Sequence, residues 1–202
     1  MKHKTQWVVS SVAVLATWML GSAGAFGADQ KLQDRVTVYL GPGAKPNEAV
    51  VTIWMANTNP VIGITLPFKF APGADSVVLD SLLTTTGRAA AFQVPPPMYK
   101  KENQTLLVNM LSAGDSAAML KGAIPAGEGP IAVLYLGAKS TFPVDAFKIA
   151  AVHLPPENEL LYVTTTFNSV QPEFALVKKP APLWPPKTGQ AATKAAGKTD
   201  KE

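Results

Sequence analysis

From Ile62 to Phe70 the residues alternate without a break. Ile62, Ile64, Leu66, Phe68 and Phe70 fall on one side, and Gly63, Thr65, Pro67 and Lys69 on the other. A period of two puts each set on one face of a pleated strand, and no helix can bury the apolar set together. Such a strand needs neighbours to pair its backbone and a second layer to cover its apolar face. Pro67 lacks a backbone donor, which predicts a sheet edge or a bulge at that point.

The rest of the middle region reads the same way. Arg35–Leu40 alternates, with Val36, Val38 and Leu40 opposite Thr37 and Tyr39, and Gly41-Pro42-Gly43 ends it. Further strands are predicted over Glu48–Ala56, Ser76–Leu83, Ala90–Val94, Gln104–Leu111, Gly129–Gly137, Phe147–Leu154, Leu160–Thr165 and Glu173–Val177. Turn clusters such as Asn57-Thr58-Asn59-Pro60 and Ala71-Pro72-Gly73 separate them. Only Ser116–Lys121 suits a helical turn. Short strands at even spacing predict an all-β, antiparallel sandwich or barrel from Arg35 to Val177. Pro95-Pro96-Pro97 with the following Tyr99-Lys100-Lys101 reads as an insertion.

The flanks differ in kind. Met1–Ala25 reads as a signal peptide: Lys2, His3 and Lys4 lead, an apolar run from Trp7 to Leu20 follows, and Ala23-Gly24-Ala25 is a small-x-small cleavage site. The expectation is export to the periplasm or beyond the cell, with cleavage near Phe26 and no transmembrane segment in the mature chain. Residues 26–34 form a short linker. From Lys178 to Glu202 the sequence is Lys, Ala, Pro, Thr and Gly, with Leu183 and Trp184 as its large apolar residues. That composition predicts a disordered tail. The chain has no Cys, so the sandwich must fold without disulfides.

The formal charge of +4 belongs to the ends. Between Asp29 and Val177 stand ten Lys/Arg and twelve Asp/Glu. The domain therefore lacks the basic surplus that nucleic-acid binding requires.

Enzyme chemistry finds few parts. His153 is the one His beyond the signal, and it sits in a predicted strand. Without Cys and with a lone His, thiol nucleophiles and His/Cys zinc sites are excluded. Gly114-Asp115-Ser116 is not a nucleophile elbow. Asp75, Asp80, Asp115, Glu128, Asp145, Glu157, Glu159 and Glu173 are scattered over loops and strand ends, which reads as solvation. They make no ordered calcium array. The prediction is no catalysis, no cofactor and no metal site.

The string VIGITLPFKFAPGADSVVLDSLLTTTGRAAAF resembles the first half of a cohesin-type domain. NQTLLVNMLSAGDS, IPAGEGPIAVLYLGA and HLPPENELLYVTTTFNSVQPEFAL resemble the second half, and the run Pro125, Gly127, Gly129, Pro130 is the most recognisable part. The resemblance covers about Arg35 to Val177. It implies a nine-stranded jelly-roll sandwich, a fold shared with carbohydrate-binding modules. It also implies a non-catalytic module that binds a protein partner of dockerin type, as members that assemble polysaccharide-degrading complexes do.

Aromatic residues supply the candidate binding site. If Val51, Ile53 and Met55 face the core, Trp54 faces out, and Tyr39 does so on the preceding strand. Outward Trp and Tyr anchor protein interfaces or stack on sugar rings. The opposite register, with Trp54 in the core beside apolar Val50 and Ala56, is the competing assignment.

Overall fold

The computed structural model describes residues 32–71, 77–84 and 87–182. The predicted signal peptide, most of the predicted linker, Asp75 and the part of the predicted tail from Leu183 onward lie outside the described residues, whereas Lys178–Pro182, expected to be disordered, are described and hydrogen-bonded to the domain.

Two sheets face each other. The first has the order β12-β1-β2-β8-β4, with β1 Arg35–Pro42, β2 Glu48–Asn57, β4 Val77–Leu83, β8 Gly127–Ala138 and β12 Glu173–Val177. The second has the order β11-β10-β3-β7-β5, built from β3 Val61–Ala71, β5 Phe92–Gln93, β7 Thr105–Ser112, β10 Leu161–Thr164 and β11 Ser169–Val170. Two further strands join it: β6 Met98–Lys100 pairs with β7, and β9 Lys148–Ala151 pairs with β3. Among the described residues one helix, α1 Ser116–Lys121, follows β7. The all-β sandwich is therefore the observed fold.

Alternation decides what fills the space between the sheets. Val36, Val38 and Leu40 from β1 meet Ala49, Val51, Ile53 and Met55 from β2. Ile64, Leu66, Phe68 and Phe70 from β3 meet Leu106, Val108 and Met110 from β7. Phe142, Phe147 and Phe70 close one end, with Phe142 and Phe147 edge to face at 4.9 Å between ring centroids. Each buried large side chain of this kind is worth about 2 kcal/mol of transfer free energy.

Four departures from the predicted elements bear on the sheets. Pro67 is at no sheet edge, because β3 is central. It sits where β10, which pairs only as far as Thr65, gives way to β9, which begins at Phe68. Its carbonyl accepts from Val152 at 3.1 Å, so its nitrogen faces the same gap, where no ladder needs a donor. Second, Tyr99-Lys100, where no strand was predicted, belongs to the sheet: β6 pairs with β7 through Tyr99↔Leu106, and the proline triplet separates β5 from β6 along one edge. Third, β11 closes a hairpin on β10 that the sequence did not suggest. Fourth, β12 runs parallel to β1. Gln171 and Pro172 carry the chain across from the other sheet, and β12 then leaves from the end where β1 begins.

Candidate functional site

Two outward sheet faces and one loop pocket are open to a ligand. On the first sheet, burial of Val51, Ile53 and Met55 turns Val50, Thr52 and Trp54 outward. Burial of Val36, Val38 and Leu40 does the same for Thr37 and Tyr39. The register places Thr37 opposite Trp54 and Tyr39 opposite Thr52. Tyr39 and Trp54 thus meet on the diagonal, edge to face, with centroids 5.9 Å apart and planes at 73°. They shield both threonines, each 8% exposed. The competing assignment of Trp54 to the core is excluded. Its indole N–H is buried and meets no acceptor among the described residues. Val133 and Tyr135 of β8 continue the face, opposite Thr52 and Val50.

The outer face of the second sheet is more open, and sequence reasoning missed it. Leu107, Asn109 and Leu111 of β7 point away from the core, as do Gly63, Thr65 and Pro67 of β3 and Leu161 and Val163 of β10. Leu111 is 47% exposed and Met98, beside Leu107 on β6, is 54% exposed. Gly63 lies flat between Val163 and Leu111. A Cβ there would come within 3.3 Å of Leu111 Cδ1 and 3.4 Å of Val163 Cβ. Leu111 and Val163 cover Gly63, which is buried as Leu107 is, so the apolar side chains left open on this face are Leu111 and Met98. The signal was present in Thr105–Ser112, where Leu106, Leu107, Val108 and Leu111 occupy both parities. A strand that is apolar on both faces is either sandwiched or offered to a partner.

The pocket has a volume of about 680 Å³ and is lined by Lys69, Glu102, Thr105 and His153, among others. His153 is in the exposed loop after β9 and not in a strand, because pairing with β3 ends at Ala151. Its Nδ1 lies 3.2 Å from Glu159 Oε1, and Gln171 donates to Glu159 Oε2 at 2.6 Å. These contacts tie the loop down. Among the described residues no three His, Cys, Asp or Glu side chains converge. Asp80 occupies a bulge in β4. Burial first, then the charge of Glu48, raises its carboxyl above the usual range. No described helix is long and apolar enough to cross a membrane.

No family profile matches the sequence, and no curated protein matches it. Solved structures match the fold. A type II cohesin dyad from an adaptor scaffoldin of Acetivibrio cellulolyticus aligns at a TM-score of 0.52 and 11% identity, over 71% of this chain and 46% of that one. The sixth cohesin of a second scaffoldin of that organism, solved with a dockerin, aligns at 0.50 and 15% identity, over 72% and 98%. A cohesin from its type II cohesin–X-dockerin complex aligns at 0.52 and 14%, over 72% and 95%. The chain thus spans under half of the dyad but nearly all of each single module. The fold is the cohesin-type sandwich.

Proposed function

We propose that this chain is an exported, non-catalytic recognition module that holds a protein partner against the outer face of its seven-stranded sheet. The carrying observation is the pair of large apolar side chains left open on that face, Leu111 and Met98, each about half exposed. A partner that covers them removes these side chains from water without a conformational change in the sheet. Structural neighbours solved with dockerins support a protein ligand of that type. The signal-peptide pattern of Met1–Ala25 supports export.

Tyr39 and Trp54 form a second surface for a partner, since a half-buried Trp braced by a Tyr is a common interface anchor. They suit a glycan less well. Stacking a sugar chain takes rings in a shared plane, and these stand at 73°.

The test is capture from the secreted and envelope fractions of the source organism, beside a glycan array, with wild type, Leu111→Asp and Trp54→Ala. A protein retained by wild type and Trp54→Ala but lost in Leu111→Asp supports the proposal. Loss only in Trp54→Ala moves the site to the other sheet. A glycan signal abolished by Trp54→Ala, with no protein captured, makes the chain a carbohydrate-binding module instead.

A further inference from the structure

Gly41 faces outward, in line with Thr37 and Tyr39, because Leu40 beside it is in the core. It is nevertheless buried. What covers it is the chain's own continuation beyond β12: a Cβ on Gly41 would lie 3.2 Å from Pro180 Cα and 3.3 Å from Pro180 Cγ. The chain therefore does not run on past the edge of the sheet. Lys179 N–H donates to the Val177 carbonyl at 3.0 Å, a tight turn, and the Lys178 ammonium donates to the Asp145 carbonyl. From this anchored turn the backbone steps over the outer surface of β1. The absence of a side chain at Gly41 is what lets it approach so closely.

The residues that come next are Ala181, Pro182, Leu183 and Trp184. Leu183 and Trp184 are the large apolar residues of a stretch otherwise built from Lys, Ala, Pro, Thr, Gly and a few other polar residues. Gly41 is opposite Val50 of β2, and Val50 is opposite Tyr135 of β8. Neighbouring strands lie about 4.8 Å apart, so Tyr135 is roughly 10 Å across the sheet from Gly41. Three residues beyond Pro180 also span up to about 10 Å. Pro180, Pro182, Pro185 and Pro186 bracket the apolar pair. Prolines narrow the conformations open to the chain before it docks, which lowers the entropy lost on docking.

We propose that Leu183 and Trp184 of this chain seat on the outer face of the five-stranded sheet, against Val50 and Tyr135 and beside Tyr39. The chain's own tail then covers one apolar face of the sandwich. The Tyr39–Trp54 pair then lies at the rim of the covered area, so any ligand of that pair competes with the tail. The seven-stranded face is on the other side and stays open.

The lack of cysteine makes the test direct. Ser81, opposite Tyr135 on β4, and Pro185, next to Trp184, are changed to Cys in the full chain. Disulfide closure within the monomer is followed on non-reducing gels, each rate taken relative to the same pair in denaturant. Docking raises the effective concentration of the two thiols. Closure is expected to slow about ten-fold when Trp184→Ser is added, to the rate of a Ser81→Cys, Ala192→Cys control. A rate unchanged by Trp184→Ser overturns the proposal, as does a Pro185 pair that closes no faster than the Ala192 pair. Neither outcome depends on the partner assigned to the other sheet.

Discussion

Arg88 ties one corner of the sandwich together with a single guanidinium. Its Nη1 donates to the carbonyls of Met55 at 3.2 Å and Gly127 at 2.9 Å and to Asn57 Oδ1 at 2.8 Å, while Nη2 reaches the Pro125 carbonyl. Asn57, fully buried, donates to Pro125 and Asn59 and completes the network. No carboxylate pairs with Arg88 among the described residues, and burial lowers its affinity for the proton without discharging it. Lysine has no planar fork to reach these acceptors together. Arg88→Lys is expected to cost about 2 kcal/mol in urea denaturation, because partly buried carbonyls lose their donors. Tyr162 gives a prediction in pH. Its hydroxyl donates to the Arg35 carbonyl at 2.9 Å, and burial, followed by the charge of Asp34, raises the phenol far above its usual range. The unfolded phenol ionises near about pH 10, so the unfolded chain releases this proton first. The stability tied to the neutral phenol is whole below about pH 10 and is lost as the pH rises above it. Tyr162→Phe is expected to weaken the fold at neutral pH by about 1 kcal/mol and to flatten the alkaline fall in melting temperature.

At the scale of elements, α1 depends on its cap. Asp115 Oδ1 accepts from the Ala118 amide at 2.9 Å, and Gly114 before it sits at a φ of 101°, where an added Cβ would strike Ala118. Asp115→Ala should lower stability by about 1 kcal/mol, read from a denaturant midpoint. The bulge in β4 gives the opposite sign. The Asp80 carboxyl is held above its ordinary range, so its ionised form is disfavoured in the folded state. Stability associated with it falls as the pH rises through the carboxylate range, and Asp80→Asn should remove that slope in melting curves. Most strands were legible in the sequence, because one buried face imposes a period of two on Arg35–Leu40 and Ile62–Phe70. Trp54 was legible only as a choice between two registers, since Val50 and Ala56 beside it are apolar as well. Pro67 was read as an edge or a bulge because it lacks a backbone donor, and nothing local to residue 67 records that one partner strand gives way to another just there. Leu111 was legible only as part of a strand apolar on both faces, and Gly63 was not legible at all, for what covers it includes Val163, which is remote in sequence. Arg88 carried no signal at all: its acceptors lie on two other segments, Met55–Asn57 and Pro125–Gly127.

Taken whole, the molecule is two sheets that share one apolar interior and need no covalent link across it. The two sheets also divide labour: one face is proposed for a partner, and the other is proposed to receive the tail. The first and last strands of the domain lie side by side and point the same way, from Arg35 opposite Glu173 to Tyr39 opposite Val177. A chain held at one side and bound to a partner at the other carries load through that pair. Pulling Leu32 and Pro182 apart slides β1 along β12, so the hydrogen bonds between them resist in shear and must fail together. An antiparallel terminal pair would open one bond at a time, like a zipper. Forced unfolding is governed by a rate, and shear loading raises the barrier that sets it. Force spectroscopy through handles at those two residues should need markedly greater force than through handles at Asn57 and Val61, which join the adjacent ends of β2 and β3. The parallel strand that departs from the expected topology makes this domain a mechanical clasp.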